Sequence, residues 1–167
     1  MTTNEIFEKL LESFHAYYNV YLINEPSPFA AMAEFHSHDE QYFLIKSAKI
    51  SEAESNEYVY FATVKHLQEE TLYNLDAAAW NTGLSKIIPH KNHRNSDIVL
   101  FIIADEMDSD VYKKIPKINH YKSYRFSLQG WTNYQLVAIE SSSGRMFCNH
   151  QGQRWEKLIC NIIKSFK

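Results

Sequence analysis

Glycine and proline are scarce in this sequence, four of each among 167 residues. That scarcity argues against a long flexible linker or a collagen-like stretch, which depend on those residues. Cysteine is scarcer still: Cys148 and Cys160 are the only two. They are expected to be buried or partly buried free thiols in a reducing compartment. No stretch approaches the roughly 18 apolar residues a membrane helix needs, so no membrane partner is expected. The opening MTTNEIFEKLLESF carries Glu5 and Glu8 where a secretory leader needs basic residues followed by an apolar run. These absences together point to the cytoplasm. Also missing are GxGxxG, GxxxxGK, HExxH, CxxC and GxSxG, which weighs against the common cofactor enzymes and nucleophile-turn hydrolases. Ser141-Ser142-Ser143-Gly144 reads as a hairpin turn.

What is present suffices for one compact domain over residues 1–167, because 45% of them are hydrophobic and a chain of this length buries a core without disulfide or metal staples. The net charge of −3 hides an uneven distribution. Residues 1–60 sum to −7, residues 61–110 to −4 and residues 111–167 to +8. The plainer reading is mutual attraction of the chain's ends across a folded domain. The alternative is an exposed basic face for an anionic partner.

Spacing predicts a first helix over 3–19, capped by Thr3, with Ile6, Leu10, Phe14 and Tyr18 on one stripe. Pro26 and Pro28 interrupt the pattern. Strands are predicted at 31–38, 42–50 and 58–64, the first two forming a hairpin through Asp39-Glu40. A long helix over 66–87 follows, with Gly83 ending or bending it and Pro89 stopping it. The run Ile98–Ile103 fits a central strand covered on both faces. A short helix near 108–115, strands near 122–128, 134–139 and 145–148, and an amphipathic helix over 154–166 complete the chain. In that last helix Trp155, Leu158, Ile159, Ile162, Ile163 and Phe166 recur at steps of three and four, as in a helix docked on a sheet. The expected fold is α+β: a single, mainly antiparallel sheet with flanking helices, in the order α-β-β-β-α-β-α-β-β-β-α, with a crossover strand at 98–103.

The first predicted strand places Met32, Glu34, His36 and His38 on one face and Ala31, Ala33, Phe35 and Ser37 on the other. Imidazoles and a carboxylate are ligands for zinc or another divalent metal, and the loop after the long helix adds His90 and His93. The candidate metal ligands are therefore His36, His38, His90 and His93, with Glu34 as the catalytic base for a metal-activated water. The plainer reading is a row of hydrogen-bonded histidines, of which the chain has eight. Acidic residues also gather at Asp39, Glu40, Glu52, Glu54 and Glu57. The opening element order resembles the restriction-endonuclease-like core, although Val59 stands where that core places a lysine. In the basic third, Lys113, Lys114, Lys117, Lys122, Arg125, Arg145 and Arg154 alternate with Tyr112, Tyr121, Tyr124, Trp131 and Tyr134. Such a mixture contacts phosphates and bases in nucleic-acid-binding modules.

The segments AEFHSHDEQYFLIKSAKI (33–50), SNEYVYF (55–61), PHKNHRNSDIV (89–99) and KSYRFSLQGWTNYQLVAIESSSGRMFCNHQG (122–152) resemble a family of short Firmicutes proteins defined as a domain of unknown function. The resemblance covers most of the chain and implies a bacterial cytoplasmic protein, with no activity to carry over. It implies counterparts of His36, His90 and His93, but not of His38. The leading reading is a binding or accessory module. The alternatives are a metal-dependent, nuclease-like hydrolase using the His/Glu cluster, and a nucleic-acid-binding module using the basic third.

Overall fold

The computed structural model describes residues 1–24, 26–37 and 54–166. The apolar run Ile98–Ile103 lies at its centre, within strand β4 (His93–Met107), whose residues from Ser96 to Ala104 are all buried. Strands β3 (Glu54–Leu67) and β6 (Trp131–Glu140) flank β4, and both run parallel to it. Side chains alternate across the three strands. Ile98, Leu100 and Ile102 share one face with Tyr58, Tyr60, Tyr134 and Leu136. Val99, Phe101 and Ile103 share the other with Val59, Phe61, Val137 and Ile139.

Each face is sheathed by helices. Helix α2 (Glu69–Lys86) buries Leu72, Leu75 and Ala79 on the first. It also makes the long return that a parallel β3–β4 pairing requires. Helices α1 (Thr3–Phe14) and α4 (Glu156–Lys164) cover the second face through Ile6, Leu10 and Phe14 and through Ile159 and Ile162. The Phe14 ring sits 5.2 Å from Phe61 and 5.3 Å from Trp155. Helix α3 (Ser109–Lys114) follows β4.

At one edge β1 (Asn19–Leu22) pairs antiparallel with β2 (Ala31–His36), which pairs antiparallel with β3. At the other edge two short strands share the flank of β6. β5 (Tyr121–Ser123) pairs with Trp131–Asn133, and β7 (Arg145–Cys148) pairs with Val137–Glu140. Neither reaches Tyr134–Leu136. The fully buried Asn149 fills that gap with its side chain. Its amide donates to the Tyr134 and Ile118 carbonyls, both at 3.0 Å, and its Oδ1 accepts from the Leu136 amide at 3.1 Å and the Gly152 amide at 2.8 Å.

Among the described residues, the element order and the majority of antiparallel pairings, four of six, are those the sequence predicts. Several boundaries differ. Helix α1 stops at Phe14, and its cap is Thr2, not Thr3: Thr2 and the Glu5 side chain form a reciprocal capping box. Asn19–Leu22, carrying the strand-favouring Val20 and Tyr21, then becomes strand β1, which takes the place expected of 42–50 as a partner of β2. Residues 42–50 lie outside the described residues. Gly83 does not end α2. It lies inside the helix, where a Cβ would come within 2.6 Å of the Ile98 side chain, so glycine sets how closely α2 approaches the sheet. Cys160 is exposed and not buried, because its position on α4 turns away from Ile159 and Ile162; Cys148 is half-buried and both thiols are free.

Candidate functional site

The histidines and carboxylates singled out from the sequence gather at the end of the sheet where β2 finishes and β3 and β4 begin. On β2, Glu34 and His36 share the face covered by α2, as their alternation requires. Glu34 accepts a 2.7 Å ion pair from Lys86 in the last turn of α2, and its second oxygen lies 3.6 Å from His36 Nε2. His36 Nδ1 bonds to Asn56 Oδ1 at 2.7 Å, its cross-strand neighbour on β3. The carboxylate expected to act as a base is thus already matched to a lysine.

His90 and His93 come together, their ring centroids 6.2 Å apart, but each is engaged locally. His90 Nε2 bonds to Glu54 at 2.9 Å, and its Nδ1 accepts from the Asn92 amide at 3.2 Å. His93 is buried. Its Nδ1 lies 2.8 Å from the Gln129 carbonyl, which can only accept, so Nδ1 donates and Nε2 accepts from the buried Ser96 hydroxyl at 2.8 Å. His93 therefore fastens the loop between β5 and β6 to the start of β4. Gly130 packs against the same place: a Cβ there would meet the Arg94 carbonyl at 2.3 Å. Among the described residues no group of three or more His, Cys, Asp and Glu side chains is arranged to hold a metal ion. His38 lies outside the described residues.

Two polar clusters escaped the sequence reading. In the first, Glu57 and Asp97 are opposed across β3 and β4. Arg154 bridges them at 2.8 and 3.4 Å, Tyr18 donates to Glu57 at 2.5 Å and Asn133 to Asp97 at 3.2 Å. Burial, reinforced by Glu57, raises the Asp97 carboxyl above its ordinary range even though Asn133 and Arg154 pull against it. In the second, His120 Nε2 bonds both oxygens of the buried Asp76, at 3.0 and 2.9 Å, and the ring stacks on Trp80 at 5.0 Å. The Tyr134 hydroxyl is buried beside this pair without hydrogen-bond geometry, and burial first, then the Asp76 charge, hold its ionisation well above normal. The residues of each cluster come from distant parts of the chain, so no local spacing signals them.

The basic third does not form one continuous patch. Lys114 pairs with Glu69, Arg145 with Glu140 at 2.9 Å, and Arg154 with the two carboxylates above. Burial alone would raise Glu140, but hydrogen bonds from Ser143, Arg145, Tyr112 and the Met107 amide bring it down to about 2. Lys113, Lys117, Lys122 and Arg125 remain without an ion pair among the described residues and are exposed; Lys122 lies on β5 and Arg125 in the turn that follows it. No acidic residue occurs between Asp110 and Glu140. In the middle of this stretch Arg125, Phe126 and Ser127 adopt φ of 46°, 54° and 67°. Three successive left-handed residues without glycine cost roughly 1–2 kcal/mol each. Bonds from Leu128 N to Arg125 O and from Gly130 N to Ser127 O hold the turn, together with the His93 anchor. The turn carries Phe126 to 98% exposure and Leu128 to 79%.

Residues 2–161 match the model described as Domain of unknown function (DUF8052), and the chain belongs to that family. No curated protein and no solved structure matches it. No helix among the described residues is long and apolar enough to cross a membrane.

Proposed function

We propose that the chain is a binding module whose contact surface is the β5–β6 turn, and that its partner is a protein presenting carboxylates around an apolar recess. The observation carrying this reading is the left-handed turn at 125–127. A strained backbone persists where the surroundings enforce it and is concentrated at functional positions. Here the strain lifts an aromatic and an aliphatic side chain clear of the domain beside Lys122 and Arg125. Leu128 favours an apolar recess over nucleic-acid bases, on which aromatic rings stack and aliphatic ones do not.

A fluorescein-labelled peptide of alternating Glu and Leu tests the reading by anisotropy. Binding is expected at low salt, weakening as salt rises, and lost in Phe126→Ser/Leu128→Ser and in Lys122→Glu/Arg125→Glu. Binding indifferent to both double variants, or absent, refutes it. Labelled single-stranded DNA and RNA form the second arm, and tighter binding there would transfer the surface to nucleic acid.

A further inference from the structure

Among the described residues nine large hydrophobic side chains are prominently exposed, and six of them lie towards the two opposite edges of the sheet. Tyr121, Phe126 and Leu128 belong to the β5 side. Tyr17, Tyr21 and Leu22 belong to the β1 side, in and just before the strand that is outermost there among the described residues. Against β1 lies a groove of about 360 Å³ lined by Glu8, Leu11, Glu12 and His15 of α1 and by Val20 and Leu22 of β1. Its floor is apolar and its rim acidic. The β5 edge is its complement: an apolar projection, Phe126 and Leu128, flanked by Lys122 and Arg125.

We infer that the partner of the β5–β6 turn is a second copy of this chain, the turn of one copy seating in the α1/β1 groove of the next. The inference rests on the binding reading above and names its occupant. Charge complementarity carries it: within one chain the exposed apolar residues of the basic edge and those of the acidic edge cannot meet, because the full width of the sheet separates them. Seating Phe126 against Leu11, Val20 and Leu22 removes apolar surface from water on both copies. It also sets Arg125 and Lys122 beside Glu8 and Glu12. Knob and groove are different surfaces, so the contact is heterologous. Each added copy brings a free knob and a free groove, and assembly continues unless the rotation closes a ring. A contact of a few side chains falls below the roughly 1,200 Å² typical of stable interfaces, so the association is weak and concentration-dependent.

Sedimentation equilibrium of the full chain, at concentrations from about 10 μM to about 1 mM, spans the affinities such a contact supports. The weight-average mass is expected to climb with concentration and to fall back towards the monomer in high salt. Arg125→Glu and Glu12→Arg are exposed substitutions, and each alone should remain monomeric across the range. Mixed in equal amounts they should associate again, because each supplies the charge the other now needs. A monomeric wild type at the highest concentration overturns the inference. So does an increase in mass that neither substitution reduces, or a mixture no heavier than its components. If the wild type stays monomeric while the Glu/Leu peptide still binds through Phe126 and Arg125, the binding surface stands and only the identity of its partner falls.

Discussion

Asn149 occupies the gap on β6 that two strands leave between them, and replacing it is a demanding test of the fold. Asn149→Ala removes one acceptor and two donor hydrogens. The Tyr134 and Ile118 carbonyls and the Leu136 and Gly152 amides lose that partner in a fully buried site. An ordinary hydrogen bond contributes about 1 kcal/mol net, while an orphaned buried group costs about 1–3 kcal/mol. The Gly152 amide keeps its 3.1 Å bond to the Asn149 main-chain carbonyl. The other three groups, partly relieved by relaxation and entering water, give a loss of roughly 3–5 kcal/mol, a large share of a domain's usual 5–15 kcal/mol. Asn149→Asp keeps the acceptor but turns a carboxylate towards two carbonyl oxygens, and is expected to destabilise at least as much. Urea unfolding gives the magnitude. Amide hydrogen exchange gives the location: Leu136 should lose protection in the Ala variant, whereas the Asp variant leaves it an acceptor and Gly152 keeps the main-chain carbonyl at position 149 in both. A loss below about 1 kcal/mol, with Leu136 still protected, would show that the side chain is not what closes the gap.

Gly83→Ala should destabilise, although alanine is ordinarily the better helix former by about 1 kcal/mol. The new methyl meets Ile98 at 2.6 Å, and Ile98→Ala should partly rescue it in a double-mutant cycle read by urea unfolding. Glu140 has a folded pKa of about 2 against an ordinary 4.5, so its contribution is complete above pH 4.5 and lost as pH falls towards 2. In Glu140→Gln the fall in stability across that window should be shallower, as acid titration of the unfolding midpoint would show. Zinc titrated into the chelator-stripped protein tests Glu34, His36, His90 and His93. The hydrogen bonds already made by His90 and His93 predict less than about 0.1 equivalent bound. A full equivalent, lost in His36→Ala or His90→Ala and kept in His66→Ala, would instead establish the metal site.

The parts of the fold legible in the sequence are those where one local pattern decides. Ile98–Ile103 announces a strand covered on both faces, and Ile159 and Ile162 mark a docked helix; Trp155, expected within it, packs on the same face from the turn just before it. The chain's alternation of Ala31 and Ala33 with Glu34 and His36 correctly assigns the two faces of β2. Strand β1 was hidden because Tyr18 extends the α1 stripe by one more turn. The ring does pack on Phe14, at 4.7 Å, but from beyond the helix end. The candidate site was legible only as a row on one strand. His93 looked like a ligand because residue type shows that an imidazole can bind a metal, whereas its bonds to Ser96 and Gln129 depend on a turn that sequence spacing does not describe. The exposure of Phe126 was equally hidden, since no glycine marks positions 125–127 as left-handed.

The parallel centre of the sheet also governs how the chain acquires its structure. Tyr58 pairs with Ile98, and Ile98 with Tyr134. Both ladders join positions roughly 40 residues apart, the kind of separation that slows folding. During synthesis β3 emerges with Tyr60 and Phe61 directed to opposite sides and the β1–β2 pair beside it. It has no second neighbour until α2 and β4 have followed, and β4 in turn waits for β6. For that interval the most apolar strands of the molecule have unpaired edges. The nascent chain should therefore be most prone to aggregate, and most dependent on chaperones, between the appearance of Leu67 and the completion of Glu140.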